Sequence, residues 1–283
     1  MTIFEIVQEG LHYARTRRSL WLFGFFVGVW SGGSNGGSND SGGGGALGGV
    51  AAAGLLASSG GLIGSIAVLI VVVALLFLVL RFVGEGALIE GVVRARRGGA
   101  MTTREGFRAG WAHWGVLVRI ALLYVAATVG TLALLAAICV VTWHLLGLLG
   151  AVLVGIPTLV IAVLALVTMY LVQAFACRIA VLENRHAFDA IGKARLFLHG
   201  RLRLGLKLIV ATFLGTLVIS VLAMVVILPV ALLLLALLPL LRVVPVIIIA
   251  GLVLVPLAGI LTAVIGTFRS SVWTIGYLSQ VES

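Results

Sequence analysis

The chain has 283 residues, of which 62% are hydrophobic and 10% charged, with a formal net charge of +10 and a mean hydropathy of +1.27. A soluble domain carries about 25% charged residues, so a water-facing globule is excluded, and several apolar runs exceed the ~20 residues that cross a hydrocarbon core. Runs such as IAVLIVVVALLFLVL do not alternate as β-barrel strands must, so the expected fold class is all-α: a polytopic membrane helix bundle of about six transmembrane helices with cytoplasmic interfacial amphipathic helices.

Residues 3–17 read as an amphipathic helix, with Ile3, Phe4, Val7, Leu11 and Ala14 on one face. Residues 1–18 are therefore expected to form an interfacial helix ending in the basic anchor Arg15, Arg17 and Arg18. Glu5 and Glu9 precede that cluster, so this start does not have the form of a cleavable signal. Ser19–Trp30 follows, an apolar run of 12 residues, which covers only ~18 Å and is the weakest expected crossing. Residues 31–61 are a Gly/Ser-rich loop, SGGSNGGSNDSGGGG and onward. The loop has no Lys, and no strand precedes it, so a phosphate-cradling P-loop is set aside in favour of a flexible linker. Residues 62–283 form the main bundle, with spans at 62–83, 114–146, 148–180, 205–230 and 244–268. The whole chain is read as one transmembrane domain.

Charge sets the expected orientation. Arg94, Arg96, Arg97, Arg104 and Arg108 follow the 62–83 span, and seven Lys or Arg residues run from Arg178 to Lys207, across the connection of the 148–180 and 205–230 spans. The alternate connections are nearly bare. By the positive-inside rule both termini are cytoplasmic, which requires an even number of crossings. Two cytoplasmic segments resemble each other. In TTREGFRAGWAHWG, Thr102 and Glu105 have capping-box spacing, and Phe107, Trp111 and Trp114 share a face. In HAFDAIGKARLFLHG, Ala187, Ile191, Ala194 and Leu198 share a face. A repeated unit of span, interfacial helix and span results.

Chemistry-bearing residues are few. Glu85 and Glu90 stand at the cytoplasmic end of a span and are expected to pair with Arg81, Arg94 or Arg178; as ionisable groups near membrane depth they are also the candidate proton or cation site. Arg119 lies one turn inside the 114–146 span, where it can snorkel to the interface. Arg119, Gln173 and Glu85 are the candidate polar or substrate contacts. His144 in TWHLLG and His113 in WAHW are candidate cofactor ligands, since a membrane-buried His can bind haem, although no second His at matching depth supports either. No metal site, no catalytic constellation and no cofactor is evident. Cys139 and Cys177 fit no ligand spacing and are expected to be buried thiols. Arg15, Arg17, Arg18, Arg94, Arg96, Arg97, Trp111 and Trp114 are the expected membrane-surface anchors. Nucleic acid is not an expected partner, because no polar domain exists to carry a basic surface.

LWLFGFF (Leu20–Phe26) after a basic cluster, a Gly-rich loop, FRAGW (Phe107–Trp111) and the late Trp273 together resemble uncharacterised bacterial multi-pass membrane proteins. Those are akin to the membrane domain of glycerophosphodiester phosphodiesterases, here without the catalytic domain. The resemblance implies an architecture and not an activity. The functional expectation is a non-enzymatic protein of the bacterial cytoplasmic membrane that is an accessory or scaffolding subunit. Its expected partners are membrane lipids and either other membrane subunits or copies of itself. The alternative is a transporter or lipid-handling protein, which requires a cavity near Arg119, Gln173 or Glu85.

Overall fold

The computed structural model describes residues 3–32, 61–99, 101–236 and 243–281. The Gly/Ser-rich loop from residue 33 to residue 60, the Arg18 side chain and Arg242 lie outside that description. Every regular element among the described residues is helical. In chain order these are α1 (Ile3–Thr16), a 3-10 turn (Arg18–Leu20), α2 (Trp21–Gly32), α3 (Gly61–Arg96), α4 (Thr103–Leu182), α5 (Ala187–Leu198), α6 (Leu202–Ala236) and α7 (Val243–Val281). Among the described residues, five segments are long and apolar enough to cross a membrane: Val68–Arg96, Thr103–His144, Val152–Leu182, Leu202–Leu234 and Ile248–Val281. The protein is a multi-pass integral membrane protein. The sixth expected crossing coincides with α2, whose 12 residues span about 18 Å against a core of about 30 Å.

The expected turn between 146 and 148 is a single residue. Gly147 (φ 66°, ψ −163°) breaks the 80-residue run of α4 into two arms, Thr103–His144 and Val152–Leu182. A β-carbon is disfavoured at that positive φ, which is why glycine makes the break. Thr131 Oγ1 on the first arm lies 3.9 Å from Met169 Sδ on the second, so the arms fold back on each other.

The chain divides into two compact units, Met1–Trp114 with Lys207–Ser283, and Gly115–Leu206. In the first unit α2 is the hub, packing against α7 and α3, while α1 packs against α7. Leu20, Phe23, Ala87, Leu88 and Met101 form its core, with Val27 against them. Glycines make the approach possible. A Cβ at Gly24 would overlap Thr267 Oγ1 and the Ala263 carbonyl of α7, and a Cβ at Gly28 would overlap the Thr262 carbonyl. Such small-residue spacing lets membrane helices meet backbone to backbone. α7 also supplies buried hydroxyls, most of them satisfied within the helix. The Thr267, Ser271 and Thr274 hydroxyls are buried and donate to the carbonyls four residues earlier, each at 2.8 Å.

Two sequence expectations are corrected here. The helix face of α1 that docks is Ile6, Gly10 and Ala14, whereas Phe4 and Leu11 are exposed. Small residues decide it, because Gly10 brings α1 close enough that a Cβ there would stand 3.0 Å from Val272 Cγ2. Of the two cysteines, Cys177 is buried but Cys139 is exposed.

Candidate functional site

The second unit is built from the two α4 arms and α5. α5 starts after His186, which has extended backbone and no side-chain cap, and it ends at His199, whose N–H donates to the carbonyls of Arg195 (3.0 Å) and Leu196 (3.2 Å). Gly200 (φ 85°) then turns the chain into α6. α5 buries Ala187, Ala190, Ala194 and Leu198. Three of the four expected face residues are buried, and Ala190 takes the place of Ile191, which is half-buried. Phe197 packs against Phe175 at 5.2 Å between ring centroids, and Lys193 Nζ reaches Glu183 Oε2 at 2.5 Å, tying α5 to the end of the second arm.

A second stripe of α5 is left uncovered by this packing. Phe188, Ile191, Gly192, Arg195 and His199 line a groove of about 1010 Å³ whose other walls are Ile120, Tyr124 and Ala127 of the first arm and Ile161, Leu164, Thr168 and Gln173 of the second. This lies at the upper end of the ~300–1,000 Å³ typical of small-molecule sites. The walls are apolar apart from Tyr124, Thr168, Gln173, Arg195 and His199, and no carboxylate lines it. The Thr168 hydroxyl is occupied by the Leu164 carbonyl at 2.8 Å.

Of the three polar candidates, Gln173 lines this groove. Arg119 stands exposed, one residue before the lining Ile120. Glu85 belongs to the first unit and is half-buried. His113 is half-buried in the first unit, and His144 is exposed at the end of the first α4 arm. Neither histidine lines this groove, and no group of three or more His, Cys, Asp or Glu side chains among the described residues is placed to hold a metal ion. Arg195 and His199, which complete the groove, were not singled out in the sequence. Their signal was present: Phe188, Ile191, Arg195 and His199 recur at helical spacing on one stripe.

The basic cluster of the first unit is tied into the structure. Glu90 of α3 pairs with Arg94 at 3.0 Å, and Arg94 lies 3.6 Å from Glu105. Arg96 lies 3.7 Å from Glu9 of α1, which accepts a hydrogen bond from the Tyr13 hydroxyl at 3.2 Å. Burial, and then the negative charge of Glu9, raise the Tyr13 phenol above its ordinary pKa. The capping box forms as read: the Thr102 N–H donates to Glu105 (3.1 Å) and the Glu105 N–H to Thr102 (3.4 Å). The first turns of α4 then present two faces. Gly106 and Gly110 meet Phe23 and Val83, while Phe107, Trp111 and Trp114 stack outward at 6.1 and 5.9 Å between centroids. Arg15 and Arg97 are exposed, and Arg17 is half-buried.

No family model matches the chain, and no curated protein or solved structure matches it. Function is therefore carried by the site itself. A second groove, of about 690 Å³, lies between α6 and α7 in the first unit, with Ser220, Met224 and Thr262 among its walls and no charged residue. The groove of the second unit is the one that combines apolar walls with cationic and hydrogen-bonding groups.

Proposed function

We propose that this integral membrane protein is a lipid-handling protein, not an enzyme, that holds the tail of an amphiphile in the groove of its second unit. The groove carries the reading: apolar walls from Ile161, Leu164 and Ala127, with Tyr124, Thr168, Gln173, Arg195 and His199 as its polar members. Helices built to cross a membrane supply those walls, so a lipid reaches them without passing through water. The test is Gly192→Phe. Gly192 lines the groove, and a Cβ there meets nothing within 4 Å. A phenyl ring at this position fills groove volume without displacing a packed neighbour, and replacing a mid-helix glycine favours the helix. Lipid co-purifying with the full chain, counted by native mass spectrometry, is expected to fall in Gly192→Phe with the fold retained by circular dichroism. An unchanged lipid count refutes the reading.

A second reading is an accessory subunit or homo-oligomer. It is favoured by the membrane-depth faces: none of the most apolar 18-residue window of Thr103–His144 is buried, and only 6% of that of Leu202–Leu234. Lipid or another chain must cover such faces. Cross-linking in native membranes that captures neither a partner nor a second copy refutes it. The likeness to phosphodiesterase membrane domains belongs to the same proposal, as architecture. So does placement in a bacterial cytoplasmic membrane with both termini inside, which the run of Arg residues supports. A cysteine introduced at Ser38 is expected to react with an impermeant maleimide added outside intact cells. Protection from that reagent refutes the six-crossing arrangement.

A further inference from the structure

We infer that the lipid held in the groove is anionic, its headgroup phosphate bound by Arg195 with His199 beside it. This deepens the lipid-handling reading and rests on it. A lipid tail leaving the bilayer for the groove exchanges one apolar environment for another, so the tail contributes little preference. Discrimination among lipids falls to the polar members of the lining. Arg195, in the last turn of α5, and His199, its C-cap, stand four residues apart, and both line the groove.

The surrounding charges leave Arg195 available. Glu183 and Asp189 are the only carboxylates between residues 115 and 206. Glu183 is engaged by Lys193 at 2.5 Å and Arg185 at 3.6 Å. Asp189 precedes Arg195 by six residues, which at 100° per residue turns it away from the groove stripe. The Arg201 guanidinium is taken up by the Phe197 ring, 5.2 Å from its centroid. Arg195 makes no ion pair among the described residues, and it adjoins apolar walls that hold no acid. Its planar, forked guanidinium matches a phosphate in two parallel hydrogen bonds. The groove of the first unit lacks any charged lining residue, so it offers no equivalent headgroup site.

The experiment exchanges the purified full chain, in phosphatidylcholine nanodiscs, with equimolar phosphatidylglycerol and phosphatidylcholine, and identifies the retained lipid by native mass spectrometry. The wild type is expected to retain phosphatidylglycerol preferentially. Arg195→Gln is expected to lower that enrichment by about fivefold, the effect of one cation near a lipid headgroup, and Arg195→Lys to keep only part of it, because an ammonium retains the charge but not the paired hydrogen bonds. Arg108→Gln removes an exposed cation outside the groove and is expected to leave the enrichment unchanged. The proposal is overturned if the wild type shows no enrichment, or if Arg108→Gln lowers it as much as Arg195→Gln. It is also overturned if free glycerol phosphate displaces the bound lipid, since the occupant recognised is then a soluble anion. The two readings separate cleanly. A Gly192→Phe protein that keeps its lipid defeats the groove itself. A Gly192→Phe protein that loses lipid, alongside an Arg195→Gln protein of unchanged selectivity, defeats only the headgroup assignment.

Discussion

Gly24→Ala tests the packing that holds the first unit together. A Cβ at Gly24 would overlap Thr267 Oγ1 and the Ala263 carbonyl oxygen and lie 3.0 Å from the Thr267 nitrogen. Two of those three atoms belong to the α7 backbone, so no side-chain rotation relieves the overlap. An ordinary carbon contact is about 3.5 Å, which requires α2 and α7 to separate by about 1 Å, enough to forfeit a quarter to a half of each facing dispersion well. The cost falls on the close α2–α7 seam itself, where the Gly24 carbonyl in turn lies against Gly266. Overpacking of this kind costs about 1–3 kcal/mol. Gly130→Ala is the matched control, because a Cβ there meets nothing within 4 Å. Both glycines lie inside helices, so the propensity gain of about 1 kcal/mol is common to the two variants and cancels. Gly24→Ala is therefore expected to melt several degrees below Gly130→Ala in the same detergent, at a few degrees per kcal/mol. Near-ultraviolet circular dichroism reports the melt. If the two variants melt together, the glycine contact does not hold α2 on α7.

The Tyr13 phenol has a raised pKa in the folded chain, so its contribution to stability is fully present below the unfolded value of about 10 and is lost as pH rises through the folded one. Melting temperatures taken upward from pH ~9 are expected to fall more steeply for the wild type than for Tyr13→Phe, and parallel slopes contradict the assignment. Thr102→Ala removes the side chain that caps α4 and is expected to cost about 1 kcal/mol; a melt equal to wild type would show that the cap contributes nothing. Together with the Gly192→Phe and Ser38→Cys experiments, these measurements test the packing, the site and the topology separately.

Much of this was legible because single elements decide it. The capping box at Thr102 and Glu105 and the outward face of Phe107, Trp111 and Trp114 depend on spacing within one helix. The pairing of Glu90 with Arg94 is a one-turn relation of the same kind. The docking face of α1 was misread for an instructive reason. Helical periodicity finds the apolar stripe, but Gly10 and Ala14 dock because they are small, and hydrophobicity does not measure that. Likewise Gly24 and Gly28 are one small-residue spacing among many in a chain with 37 glycines. Nothing local says that they face Thr262 and Ala263. In the groove, Gln173 was a sequence candidate, whereas Arg195 and His199 read only as part of a basic segment.

By itself the sequence determined the solvent. Composition and unbroken apolar runs demand a membrane, and in a membrane the backbone must satisfy its own hydrogen bonds, so helices follow. Tertiary structure alone decided which faces are buried, since apolar surface faces lipid as readily as protein and hydropathy cannot tell the two apart. It also decided that α5 turns its alanines inward and its Phe188–His199 stripe toward a groove. That outcome depends on how closely Ala190 and Ala194 let α5 approach its neighbours, a distance set by every helix around it.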